Sequence, residues 1–125
     1  MLSPYHFKRF FAKGMAAFPN EAEFKSKVAD TFYDLADFFS SKYEKLGDSF
    51  IIDAQDDSLS FHTTKHDILC SRQSPNRQIW VSSPVSGSLK FEYDSDSNKW
   101  VDTKDDKLDL NQSLINEVEK TLKVD

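Results

Sequence analysis

Six short segments with strand composition follow one another between Ser49 and Asp102, and no break between them exceeds five residues. They are Ser49–Asp53, Ser58–Thr63, Ile68–Gln73, Arg77–Ser82, Ser88–Tyr93 and Lys99–Asp102. The breaks hold turn formers, as in Gln55-Asp56-Asp57, Ser74-Pro75-Asn76 and Ser83-Pro84-Val85-Ser86-Gly87. A parallel pair needs a crossover of about a dozen residues or more, whereas a tight turn suffices between antiparallel neighbours. The segments therefore predict an antiparallel meander.

Helical periodicity brackets this meander. Asn20, with Glu23 three residues on, reads as an N-cap. From there Phe24, Val28, Phe32, Leu35, Phe39, Tyr43 and Leu46 recur at three- and four-residue steps, with Gly47 as the stop. Glu23, Asp30, Asp34, Asp37, Glu44 and Asp48 fall on the opposite side of this helix. At the other end Asp109 caps a second helix, in which Leu110, Leu114, Val118 and Leu122 repeat every four residues. Each helix must bury its stripe, so the predicted fold class is α+β: a two-layer α/β sandwich. Its two helices, N- and C-terminal, pack on one face of an antiparallel sheet of about five to seven strands.

Composition supports one such domain. The chain has 125 residues, 38% of them hydrophobic and eleven of them Phe, enough for a core. It holds no apolar run of the roughly 18–20 residues needed to cross a bilayer. A net charge of −5 argues against nucleic acid as partner, since phosphate backbones are held chiefly by cations. A single Cys excludes an internal disulfide. Residues 1–19 stand apart, lacking Asp and Glu but carrying Lys8, Arg9 and Lys13 among aromatic residues. They read as an organelle-targeting presequence or as an N-terminal arm, with the domain proper at 20–125.

No Gly-rich phosphate loop or nucleophile elbow is present. His62 and His66 could share a metal across a hairpin or stand as surface histidines. Cys70, in an apolar strand, reads as a small core hydrophobe rather than a nucleophile. Two features stand out. The acidic helix face, which Asp53, Asp56 and Asp57 extend, offers hard oxygen ligands or a patch for a basic partner, or is simply solvated. In the fourth strand, period two puts Ile79 and Val81 on one face and Asn76, Gln78, Trp80 and Ser82 on the other. The helices need the Ile/Val face, which leaves Trp80 among amides and hydroxyls on the open one. Ser71 and Gln73 join it from one neighbouring strand and Lys90 from the other. A Trp so placed has the composition of a protein-binding hot spot.

The run Arg72-Gln73-Ser74-Pro75-Asn76-Arg77-Gln78-Ile79-Trp80-Val81-Ser82-Ser83-Pro84, with Ser86-Gly87, resembles the signature of the frataxin family, in its mitochondrial form. Asp30 to Phe39, Leu59, Trp100-Val101 and Leu110 to Val118 extend the likeness over roughly residues 24 to 122. The resemblance implies an accessory role in iron–sulfur cluster assembly, in the mitochondrial matrix or a mitochondrion-derived organelle (a mitosome). Such proteins dock, as monomers, on a complex of cysteine desulfurase and scaffold protein and promote sulfur transfer. It implies a partner-binding set of Ser71, Gln73, Pro75, Asn76, Gln78, Trp80, Ser82 and Lys90. It also implies weak iron binding on a ridge of Asp30, Asp34, Asp37, Glu44 and Asp48. Iron delivery, storage or ferroxidase activity is the alternative role.

Several positions depart from the family pattern. Ser71 stands for the usual Asn, Lys90 for Arg, Tyr93 for Trp and Ser88 for Pro. Tyr33, Ser40 and Ser41 are neutral at ridge positions that are often acidic, which thins the ridge. Lys90 lacks the bidentate fork of Arg, which weakens any planar contact there.

Overall fold

The structure, a computed structural model, describes residues 16–123. The N-terminal residues on which the targeting reading rests, 1–15, lie outside the described residues. Helix α1 spans Glu21–Lys42, and the Asn20 side chain accepts hydrogen bonds from the backbone N–H of Ala22 (2.7 Å) and Glu23 (3.4 Å). Those two bonds satisfy amides that have no partner within the helix. Phe24, Val28, Phe32, Leu35 and Phe39 are buried along one stripe, as the periodicity predicts.

The helix ends before Gly47. Tyr43 is its C-cap, and Glu44–Ser49 forms a 3-10 turn broken at Gly47, whose φ of 53° is left-handed. Leu46 is consequently off the stripe and 36% exposed. The apolar spacing continues through Leu46, but the chain must turn there to enter the sheet, and Gly47 makes that turn at low conformational cost.

The sheet has six antiparallel strands in sequential order: β1 Phe50–Ala54, β2 Ser58–Thr63, β3 Asp67–Gln73, β4 Gln78–Ser83, β5 Gly87–Asp94 and β6 Lys99–Asp102. Helix α2, Leu110–Lys123, begins where Asp109 Oδ1 accepts the Gln112 N–H at 2.8 Å. Leu110, Leu114 and Val118 of α2 are buried. On the sheet side of the core, Leu59, Phe61, Ile68, Cys70, Ile79, Val81 and Phe91 are buried on one face. This is the two-layer α+β sandwich of the sequence reading.

Aromatic rings hold the two layers together at both ends. Phe39 meets Phe61 edge to face at 4.8 Å, and Tyr43 and Phe50 extend that contact. At the other end Phe18 packs on Tyr93 (5.3 Å), Phe24 (5.7 Å) and Trp100 (5.9 Å). Phe18, placed by the sequence in the N-terminal segment, is thus buried in the core. Full burial of each such ring is worth about 1.5–3 kcal/mol.

Cys70 lies on the inner face of β3, opposite Leu59 and Val81, and burial pushes its thiol from the ordinary value near 9 up to about 12. At pH 8 its thiolate fraction is then roughly a thousandth of an ordinary cysteine's, and thiolate is the reactive form. A thiol reagent is expected to label Cys70 only after denaturation. Stability linked to the thiol is complete below pH 9 and falls as pH climbs toward 12, because the unfolded chain ionises first. Urea melts at pH 8 and pH 10.5 check this: Cys70→Ala should show a smaller loss between them than wild type.

Candidate functional site

With the helices packed on one face, alternation commits every second strand residue to the other. The register then decides which of these meet. Ser58, Ser71, Trp80 and Lys90 form one row across β2 to β5. Gln73, Gln78 and Glu92 form the next, and Ser60, Leu69, Ser82 and Ser88 the row on the other side. Pro75 and Asn76 are exposed in the hairpin that joins β3 to β4. All eight residues that the sequence singled out for a partner therefore gather in one patch centred on Trp80.

Trp80 is half-buried, and its environment is specific. Its Nε1 donates to Gln78 Oε1 at 2.7 Å, while Gln78 Nε2 donates to Glu92 Oε1 at 2.8 Å. The Lys90 ammonium lies 4.6 Å from the centre of the indole ring. A carboxylate only accepts, so Glu92 orients the Gln78 amide with its oxygen toward Trp80. The indole is held by one hydrogen bond and one cation–π contact, the latter worth about 0.5–1 kcal/mol at an exposed site. Lys90 supplies the charge for that contact even without the guanidinium fork.

Two participants escaped the sequence reading. Glu92 gives no signal of its own, because its role exists only through the β4–β5 register. Leu69 was read simply as part of an apolar strand. Ile68 and Cys70 take the inner face, so Leu69 turns outward and is 46% exposed beside Ser82. Ile51, 52% exposed, lies on the same open face in the edge strand β1, opposite His62.

The acidic residues lie on the other layer. Asp30, Asp34 and Asp37 are exposed on α1, and Glu44 and Asp48 on the 3-10 turn after it, one element later than the periodicity placed them. Asp53 does not extend this ridge, because its parity with Ile51 turns it to the open sheet face. Asp56 does approach α1: Tyr33 donates its phenolic O–H to Asp56 Oδ1 at 2.9 Å, which raises the Tyr33 pKa. Among the described residues no three of His, Cys, Asp and Glu converge as ligands. The ridge is a field of negative charge rather than a coordination cage. His62 pairs with Asp67 (2.9 Å), and among the described residues no group of three ligands forms around it.

Clefts among the described residues include two on the helix side. One of about 470 Å³ is lined by Lys27, Asp34, Phe38, Lys99 and Trp100 among others, and one of about 490 Å³ by Tyr33, Asp56 and Arg72 among others. Neither contains a residue of the Trp80 patch. Small-molecule sites are concave, whereas this sheet face presents an aromatic anchor in a polar surround, the form of a protein contact.

Fold and face together define a small α+β module with two helices on one face of its sheet and Trp80 on the open one. A family model for the frataxin-like domain matches residues 17–124, and the chain belongs to the frataxin/CyaY family. It is similar to mitochondrial frataxin of Dictyostelium discoideum, 35% identical over 75% of this chain and 53% of that one. Mitochondrial frataxin of Arabidopsis thaliana is 33% identical over 66% of this chain and 50% of that one. The chain thus spans about half the length of these curated relatives. The bacterial relative in Pseudomonas putida F1, called iron-sulfur cluster assembly protein CyaY, is 37% identical over 62% of this chain and 74% of that one. Among solved structures, frataxin from Psychromonas ingrahamii shares the fold with a TM-score of 0.64 at 21% identity, over 82% of this chain and 90% of that one.

The Glu92–Gln78–Trp80 chain makes a local prediction. Glu92→Ala is expected to cost no more than about 1 kcal/mol of stability. The Trp80 indole proton should exchange several-fold faster by NMR, while that of Trp100, bonded to Thr31 Oγ1 (3.0 Å), stays unchanged.

Proposed function

We propose that this chain is a binding module of iron–sulfur cluster assembly that docks by its open sheet face on a cysteine desulfurase–scaffold complex. The observation that carries the reading is the convergence of all eight candidate residues around a held, half-buried Trp80. The name of the Pseudomonas relative supports the process, and the family supports the partners. In this reading the module contributes no reacting group. A sulfur atom passes from the desulfurase persulfide to a scaffold cysteine, and docking brings the persulfide-bearing loop within reach. Cys70 cannot relay it, being buried and held as the thiol. The relatives named as mitochondrial support a mitochondrial location, including a mitosome, and the domain is read as a monomer.

Iron enters as weakly held cargo on Asp30, Asp34, Asp37, Glu44 and Asp48. The spread of these carboxylates suits electrostatic attraction of a hard cation better than a fixed geometry. The alternative, an iron donor or ferroxidase, would rest on the same carboxylates.

Reconstituted desulfurase and scaffold test both readings. Wild type should accelerate sulfur transfer, and Trp80→Ala should weaken docking by about tenfold or more while keeping a cooperative melt. Amides in place of the five carboxylates should leave docking at high salt nearly unchanged. Should they instead abolish function while Trp80→Ala does not, the ridge and iron carry the activity.

A further inference from the structure

The hairpin that presents Pro75 and Asn76 is fastened from behind. Arg77 closes its turn with a φ of 53°, a left-handed conformation that costs a side-chain-bearing residue strain. Its backbone N–H donates to the Ser74 carbonyl at 3.1 Å. Its guanidinium donates twice, from Nη1 to that same carbonyl and from Nε to the Phe18 carbonyl at 3.1 Å. The guanidinium also lies 5.9 Å from the centre of the Phe24 ring. Phe18 is itself only 7% exposed, packed among Phe24, Tyr93 and Trp100. The Phe18 carbonyl precedes Pro19, which has no N–H, so chain entry at this point can accept but not donate onward.

We infer that Arg77 is a positioning residue of the docking face, clasping the Asn76 hairpin to the seated Phe18. This rests on the open-face reading above. The clasp joins residues 59 apart in sequence. A planar fork is what lets one side chain reach two carbonyls while stacking on a ring, and an ammonium cannot do all three. The consequence is that the geometry of the binding hairpin depends on the chain just before α1. A cut after Phe18 would free the hairpin, and a cut before Ala17 would leave it fastened.

Affinity of full-length variants for the desulfurase–scaffold complex separates the outcomes. Arg77→Gln and Arg77→Lys should weaken binding alike, about threefold to tenfold. If Arg77→Lys binds as wild type does, Arg77 acts through its charge and the clasp is refuted. Hydrogen exchange of the Asn76 amide, measured without partner, should speed up in both variants, and unchanged exchange would also refute it. Phe18→Leu should weaken binding in the wild-type background and add little in the Arg77→Gln background. Equal effects in both backgrounds would mean general destabilisation and overturn the coupling. Trp80→Ala serves as the control. Loss with Trp80→Ala but not with the Arg77 variants sinks only the clasp, whereas no loss with Trp80→Ala sinks the docking face itself.

Discussion

Covering one face of a twisted six-stranded sheet takes the apolar stripes of both helices, and the described residues hold no further element to cover the other. Period-two alternation turns that shortage into a specification. Every strand residue must declare for the helix layer or for the open surface, and a slip of one residue in any strand would put Phe61, Ile79 or Phe91 into water. The hydrophobic core therefore fixes the register, and the register assembles the polar row around Trp80 on the open face. Ser71, Trp80 and Lys90 sit in a row because Leu59, Cys70, Val81 and Leu89 sit in the row behind them.

The same constraint separates the two charged and polar surfaces. The acidic ridge rides on the outside of α1 and the turn after it, with the core and the sheet between it and Trp80. A macromolecule bound to the sheet face and cations drawn to the ridge need not compete for space. Their coupling would be electrostatic, screened over a Debye length of about 8 Å at physiological salt. Thinning of the ridge by Tyr33, Ser40 and Ser41 accordingly leaves the sheet face untouched. Tyr33 is not idle there, since its bond to Asp56 ties α1 to the β1–β2 turn.

What the sequence made legible was most of what periodicity governs. Asn20 and Asp109 cap their helices, the strand segments pair in order, and Ile79 and Val81 take the inner face, which delivers Trp80 to the outer one. What it concealed depends on contacts between distant residues. Gly47 stops the apolar pattern but not the helix, which ends at Lys42, because entry into β1 demands an extra turn. Phe18 belongs to the core although Pro19-Asn20 punctuates the chain after it, since a break in helix formation is not a break in packing. Glu92 orients Gln78 only because β5 lies beside β4. Leu69 shows the opposite error: the outward position was already implied by Ile68 and Cys70, and an apolar run obscured it.

The open sheet face has no walls, so its rigidity must come from behind, and β4 is tied at both ends. At its start Arg77 bonds back to Phe18. At its end the β4–β5 hairpin reaches the other helix, where Ser86 Oγ donates to Glu117 Oε2 at 2.7 Å. Glu117 is 3% exposed, and its second oxygen has no hydrogen-bond partner among the described residues. Holding a carboxylate so costs free energy that a purely apolar residue at this point of α2 would not. The hairpin gains a directional tether in return, and α2 gains a link to the strand that carries Trp80. Two long-range polar contacts thus frame β4, the strand that carries Trp80, each at a hairpin where the sheet's own ladder stops. Between them the ladder and the packed inner face hold β4 in register, which keeps Gln78, Trp80 and Ser82 on the open face.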